Sequence, residues 1–159
     1  MNVYVAKSSG FCSGVRHAVD TAMHIQPDNV YLLGELIHNP SVTDAVRARG
    51  IVTVESVEEV PAGATLILRS HGVGRAVYAA CEEKGIRVID CTCPFVRRTQ
   101  GIVRESSAAG KTVVVVGQKT HPEVVGLCGW SSGEVFVVED EGADLSPLAG
   151  QNLAVVAQT

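Results

Sequence analysis

The sequence predicts an α/β protein built as two small parallel-sheet lobes around a shared cleft. Three observations carry this. Short apolar, β-rich runs recur along the 159 residues, helical patterns fall between most of them, and the Cys and His residues gather where the runs end. Alternating β and α implies parallel strands whose helical crossovers cover the sheet. In open sheets of that kind, sites form outside the carboxyl ends of the strands.

The runs are NVYVA (2–6), NVYLL (29–33), TLIL (65–68), RVI (87–89), TVVVV (112–116), EVFVV (134–138) and LAVVA (153–157). Residues 15–24 place Val15, Ala18, Val19, Ala22 and Met23 on one stripe, the spacing of an amphipathic helix. Helices are predicted around 41–49, 74–84 and 95–109, each followed by a glycine (Gly50, Gly85, Gly110) in the usual C-terminal position. Pro122 suits a first helical turn, so THPEV opens a short helix. The organisation expected is an N-terminal strand and Cys loop over 1–13, one lobe over 14–93 and a second over 94–159. The last run has no covering helix after it, and a parallel strand normally continues into a crossover; the pattern predicts a continuation beyond residue 159.

Composition narrows the function. With 46% hydrophobic and 19% charged residues the chain has an ordinary globular composition. A net charge of −4 argues against a nucleic-acid binder, which needs a basic face. No apolar stretch approaches the ~20 residues of a membrane span, and the N-terminus lacks a signal pattern, so a cytoplasmic protein is expected. The five cysteines, at 12, 81, 91, 93 and 128, are an odd number. In a reducing compartment they read as buried thiols, metal ligands or catalytic groups rather than a disulfide frame.

The strand ends carry GFCSG, GELIHN, RSHGVG, DCTCP and QKTHPE. Cys12 lies between Gly10 and Gly14 at a helix start, where backbone N–H groups and the helix dipole favour an anionic ligand atom; a small buried hydrophobe at a tight turn is the alternative. Cys93 is followed by Pro94, as in a ferredoxin-type iron–sulfur ligand run, although a Cys-Pro pair also arises by chance. Cys81, Cys91 and Cys128 are expected in packing. His38, His71 and His121 stand at equivalent strand ends and fit an anionic ligand such as phosphate. Singly, each could be a satisfied core histidine. Glu123 is either a first-turn acid complementing the helix dipole or a proton donor beside a polar ligand. His17 and His24 receive no role, and Arg97 and Arg98 read as a solvated helix face.

GFCSGV, LIHN, SHGV, TCPFV and THPEVVG, in this order and spacing, resemble the 4-hydroxy-3-methylbut-2-enyl diphosphate reductases, the LytB family, over the whole chain. The resemblance implies the last step of the non-mevalonate isoprenoid pathway. In it a [4Fe–4S] cluster on three cysteines delivers electrons from a donor such as ferredoxin or flavodoxin. The hydroxyl of an allylic diphosphate leaves as water, giving isopentenyl and dimethylallyl diphosphates. Carried over by motif, Cys12 and Cys93 match two cluster ligands, His38, His71 and His121 the diphosphate site, and Glu123 the proton pathway. Thr159 aligns with a threonine beside the substrate. The family's third cluster cysteine and its Ser, Thr and Asn diphosphate ligands come downstream, in a third α/β lobe. A member lacking the C-terminal third, weakly active or inactive, is therefore implied, with residues 1–13 short of the lobe that the family's first strand packs against. Two rivals stand beside it: a non-enzymatic phosphate-binding module, and a zinc or thiol site using Cys12, Cys93 and a histidine.

Overall fold

The computed structural model describes residues 1–7 and 9–159. Helix α1 (Ser13–His24) leads into a first parallel sheet of β1 (Val30–Leu33), β2 (Val52–Val54), β3 (Thr65–Leu68) and β4 (Arg87–Asp90), ordered β2-β1-β3-β4. Helices α2 (Pro40–Ala48) and α3 (Arg75–Glu83) form its crossovers. Helix α4 (Pro94–Ala108) then opens a second parallel sheet of β5 (Thr112–Val116), β6 (Val135–Val138) and β7 (Leu153–Ala157), ordered β6-β5-β7, with α5 (Pro122–Cys128) following β5. The α/β class with parallel sheets is as the sequence predicts.

The first sheet is buried on both faces. Leu66 and Leu68 pack with Val60, Ala64 and Cys81 on one side, while Leu32 and Ile67 pack with Ala18, Ala22, Val46 and Cys91 on the other. Such two-sided burial is why these strands read as continuous apolar runs rather than alternating ones. The second sheet buries Val113, Val115 and Val156 against Val103, Val124 and Leu127. Its edge strand β7 leaves Val155 63% exposed.

Two local expectations fail. Residues 2–6 form no strand: Val3, Tyr4 and Val5 are exposed and unpaired. A β-prone pattern is only half of a strand, since the ladder needs a neighbour to accept its hydrogen bonds. Conversely, the β-branched run IVTV (51–54), missing from the predicted strands, supplies the first sheet with β2, which pairs with β1 and leaves two of its three residues exposed.

Both sheets place a topological switch, where successive crossovers diverge, between two neighbouring strands. In the first sheet this is the end of β1 and β3; in the second it is the end of β5 and β7. The loops leaving those four strand ends carry His38, His71, His121 and Thr159.

Candidate functional site

The two switch points face each other and bring three imidazoles together. The ring centroids of His38 and His71 are 4.5 Å apart, those of His38 and His121 5.5 Å, and those of His71 and His121 5.4 Å. Ser70 ties the first two loops down, its hydroxyl donating to the Leu36 carbonyl at 3.2 Å and its carbonyl accepting the Cys93 N–H at 2.9 Å. One residue thus fixes the His38, His71 and Cys93 loops against one another.

His121 caps α5, and its Nδ1 accepts the Glu123 backbone N–H at 3.1 Å. That bond occupies the Nδ1 lone pair, so the ring proton sits on Nε2, which becomes a donor. A ring held this way presents N–H rather than a lone pair to the cleft. The triad has its ring nitrogens within 4.8 Å of one another; with this tautomer it suits anion oxygens better than a metal ion. His71 is pushed down to about 4, first by burial, then by the neighbouring His38, His121 and Arg69. Its buried Nδ1 has no protein partner. Arg69, which the motifs gave no reason to single out, packs beneath Gly34 and places a half-buried cation next to His71.

Glu123 is 2% exposed at the first turn of α5. It accepts the Thr159 N–H at 2.9 Å, and the Thr159 hydroxyl lies 2.9 Å from each carboxylate oxygen. A hydroxyl has one proton to give and two lone pairs. It can therefore donate to one of these oxygens and accept from the other when the carboxyl is protonated. Gln158 closes the preceding loop, its side-chain oxygen accepting the Gln118 N–H at 3.0 Å.

The cysteines form a second pole. Cys12 is the N-cap of α1 and Cys93 the N-cap of α4, and neither thiol makes a capping hydrogen bond. A Cβ on Gly14 would stand 2.8 Å from the Cys93 sulfur, so Gly14 is the space in which that thiol sits. Gly10, by contrast, is required by its backbone, with φ +125°. Cys91 is buried, and burial pushes its thiol up, as it does for Cys81 and Cys128. Those three sit in packing positions, Cys81 and Cys91 buried and Cys128 half-buried, while Cys12 and Cys93 stand apart from them at helix starts.

Arg97 lies on the exposed face of α4, as expected, and from there pairs with Asp90 at 3.0 Å. Asp90 also accepts the Thr92 N–H at 2.9 Å and the Tyr78 hydroxyl at 3.0 Å, bracing the DCTCP turn. A cleft of about 560 Å³ opens beside this turn, lined by Gly14, His17, Pro94 and Arg98 among others. Among the described residues no helix is long and apolar enough to cross a membrane.

The chain matches the LytB protein family over residues 3–159. It is 39% identical over 166 residues to the 4-hydroxy-3-methylbut-2-enyl diphosphate reductase of Caldanaerobacter subterraneus subsp. tengcongensis, an alignment covering 100% of this chain and 58% of that protein. The reductase of Alkaliphilus oremlandii is 40% identical over 163 residues, with the same coverage. Among solved structures, that of (E)-4-hydroxy-3-methyl-but-2-enyl diphosphate reductase, the terminal enzyme of the non-mevalonate pathway, has a TM-score of 0.82 at 36% identity, covering 99% of this chain and 58% of that one. The E-1-hydroxy-2-methyl-but-2-enyl-4-diphosphate reductase from Plasmodium falciparum has a TM-score of 0.85 at 25% identity, covering 96% and 50%. The chain thus spans little more than half the length of these relatives, and it belongs to the LytB family.

Proposed function

We propose that this chain is the part of an allylic-diphosphate reductase that binds the diphosphate, delivers a proton and supplies two of the cluster cysteines. The observation that supports it best is the convergence of His38, His71 and His121, from two separate sheets, beside a buried Glu123 bonded to Thr159. Residues 14–93 and 94–159 are the two lobes of this unit. The substrate is 4-hydroxy-3-methylbut-2-enyl diphosphate, reduced to isopentenyl and dimethylallyl diphosphates with an electron donor such as ferredoxin or flavodoxin in the cytoplasm.

The Nε2–H of His121 and the imidazoles of His38 and His71 donate to diphosphate oxygens. Charge-assisted bonds of this kind contribute about 1.5–3 kcal/mol each. The anion also favours the charged form of His71, opposing burial and, after it, the neighbouring His38, His121 and Arg69 that hold its pKa low. Cys12 and Cys93 would hold a [4Fe–4S] cluster, which would relay the donor's electrons one at a time and offer a Lewis-acidic iron. Glu123 releases its proton through the Thr159 hydroxyl, which receives it on one lone pair and turns its own O–H from the second Glu123 oxygen to the substrate. In balance, the alcohol takes up two electrons and two protons; its C–O bond breaks, a C–H bond forms and water leaves.

Anaerobic reconstitution with iron and sulfide tests the reading, with inorganic diphosphate binding followed by calorimetry. A brown protein with iron, acid-labile sulfide and stoichiometric diphosphate binding is expected. A colourless protein with one equivalent of zinc would overturn the cluster assignment, and diphosphate binding without metal would leave a phosphate-binding module. In a cluster-loaded reductase with activity, Glu123→Gln should lower kcat by about 10²–10⁴-fold, the usual worth of a general acid, with KM little changed.

A further inference from the structure

The second sheet meets the first through backbone. The loop after β3, residues 70–74, lies along α5 from its N-cap to its C-cap. His71 faces His121, the Gly72 carbonyl lies 3.3 Å from where a Gly126 Cβ would be, and a Cβ on Gly129 would stand 2.7 Å from the Gly74 Cα. The lengths agree: a seven-residue helix rises about 10 Å, and three extended residue steps span about the same. Gly74 and Gly129 have φ of −74° and −68°, which any residue adopts, so glycine serves here for closeness and not for backbone freedom. The Arg75 N–H donates to the Gly129 carbonyl at 3.3 Å. Trp130 Nε1–H donates to the Val73 carbonyl at 2.8 Å, joined there by Gln100 at 3.4 Å, and its ring packs edge-on against Tyr78 at 5.9 Å.

We propose that the Gly74–Gly129 contact, latched by Trp130 on the Val73 carbonyl, is a positioning device that sets His71 against His121 and so fixes the width of the diphosphate site. This rests on the diphosphate reading of the triad. His71 stands three residues from one end of the contact, on the same stretch of backbone. His121 and Gly129 cap the two ends of one short, stiff helix. A side chain forced between Gly74 and Gly129 tilts the loop away from α5, and the displacement appears at the imidazoles. Trp130 and the two glycines touch no ligand; they act through the histidines.

The test uses the full chain, with NOEs between the His71 and His121 ring protons read beside calorimetric binding of inorganic diphosphate. Gly129→Ala should keep the far-UV circular dichroism and a cooperative melt, lose the interring NOE, and weaken diphosphate binding by about tenfold, as expected when a polar anchor is misplaced. Gly74→Ala, whose Cβ would meet Gly129 at 3.1 Å, should do the same more weakly. Trp130→Phe keeps the aromatic packing and removes the N–H, and should weaken the NOE and raise the dissociation constant severalfold; it carries the test if Gly129→Ala does not fold. Gly101→Ala, where a Cβ has nothing within 4 Å, is the control and should change neither readout. An unchanged NOE in both Gly129→Ala and Trp130→Phe would overturn the device, and so would a lost NOE with undiminished binding. If the wild-type chain binds no diphosphate, the reading of the triad fails, while the NOE still decides whether the contact positions the rings.

Discussion

The two poles of the site are held in different ways. The histidine–glutamate pole is built from buried, bonded parts: Glu123 is 2% exposed, His121 is fixed by the cap of α5, and Ser70 pins two loops at once. The cysteine pole is held unevenly. Ser70 and the Asp90-braced turn fix the backbone at Cys93, whereas Cys12 is exposed, residues 2–6 form no strand, and neither cysteine thiol makes a cap bond. The contrast teaches that the polar groups of the first pole are bonded in place, whereas the Cys12 and Cys93 thiols have no cap bond to fix them. Preorganisation reduces the ordering cost of binding, so the diphosphate site should function alone and the cluster site should assemble with difficulty.

The largest effect expected from this difference is a clean separation of the poles. Cys93→Ser should reduce iron retained after anaerobic reconstitution to background, while diphosphate affinity by calorimetry stays at the wild-type value. A parallel loss of both would show that the poles are one unit. Gly14→Ala comes next, because its Cβ would meet the Cys93 sulfur at 2.8 Å. Overpacking of this kind costs about 1–3 kcal/mol; a lower urea midpoint and most of the iron lost are expected, again without loss of diphosphate binding.

The fold was legible where structure follows from local pattern. TLIL and TVVVV coincide with β3 and β5 because a parallel strand buried on both sides needs an unbroken apolar run, and LAVVA coincides with β7, an edge strand of the same composition in which only Val156 is buried. The histidines could be picked out because they end strands and start helices, and both are local marks. What stayed hidden depends on distant partners. NVYVA has a strand's composition and no neighbour to pair with. Gly14 shelters a sulfur 79 residues away, and Gly74 touches Gly129 across 55, so no window of sequence could give either contact. Arg97 is a solvated helix charge as its sequence suggests, and only the fold brings Asp90 to 3.0 Å from it.

On the preorganised side, His121→Asn isolates one donor. Asparagine is a good N-cap and can keep accepting the Glu123 N–H, so the helix end survives while the Nε2–H is lost. Diphosphate affinity should fall by about tenfold or more, the worth of one charge-assisted bond, with iron content and melting temperature little changed. A large fall in melting temperature would show instead that the imidazole is structural.

The smallest effect is a slope. Burial, then His38, His121 and Arg69, hold His71 at about 4, against 6.5 for a free imidazole. Between those values the unfolded chain binds a proton that the folded chain refuses, so stability rises with pH across the window and falls as acid is added from about 6.5 toward 4. The ring is partly solvated, which shrinks the slope below what full burial would give. His71→Gln removes the titrating group and should flatten that part of the curve of urea midpoint against pH. Saturating diphosphate should flatten it too, because an anion against the ring lets the folded state take up the proton. Equal slopes in wild type and His71→Gln would move the origin of the acid sensitivity away from the triad and leave its neutral imidazole without a thermodynamic signature.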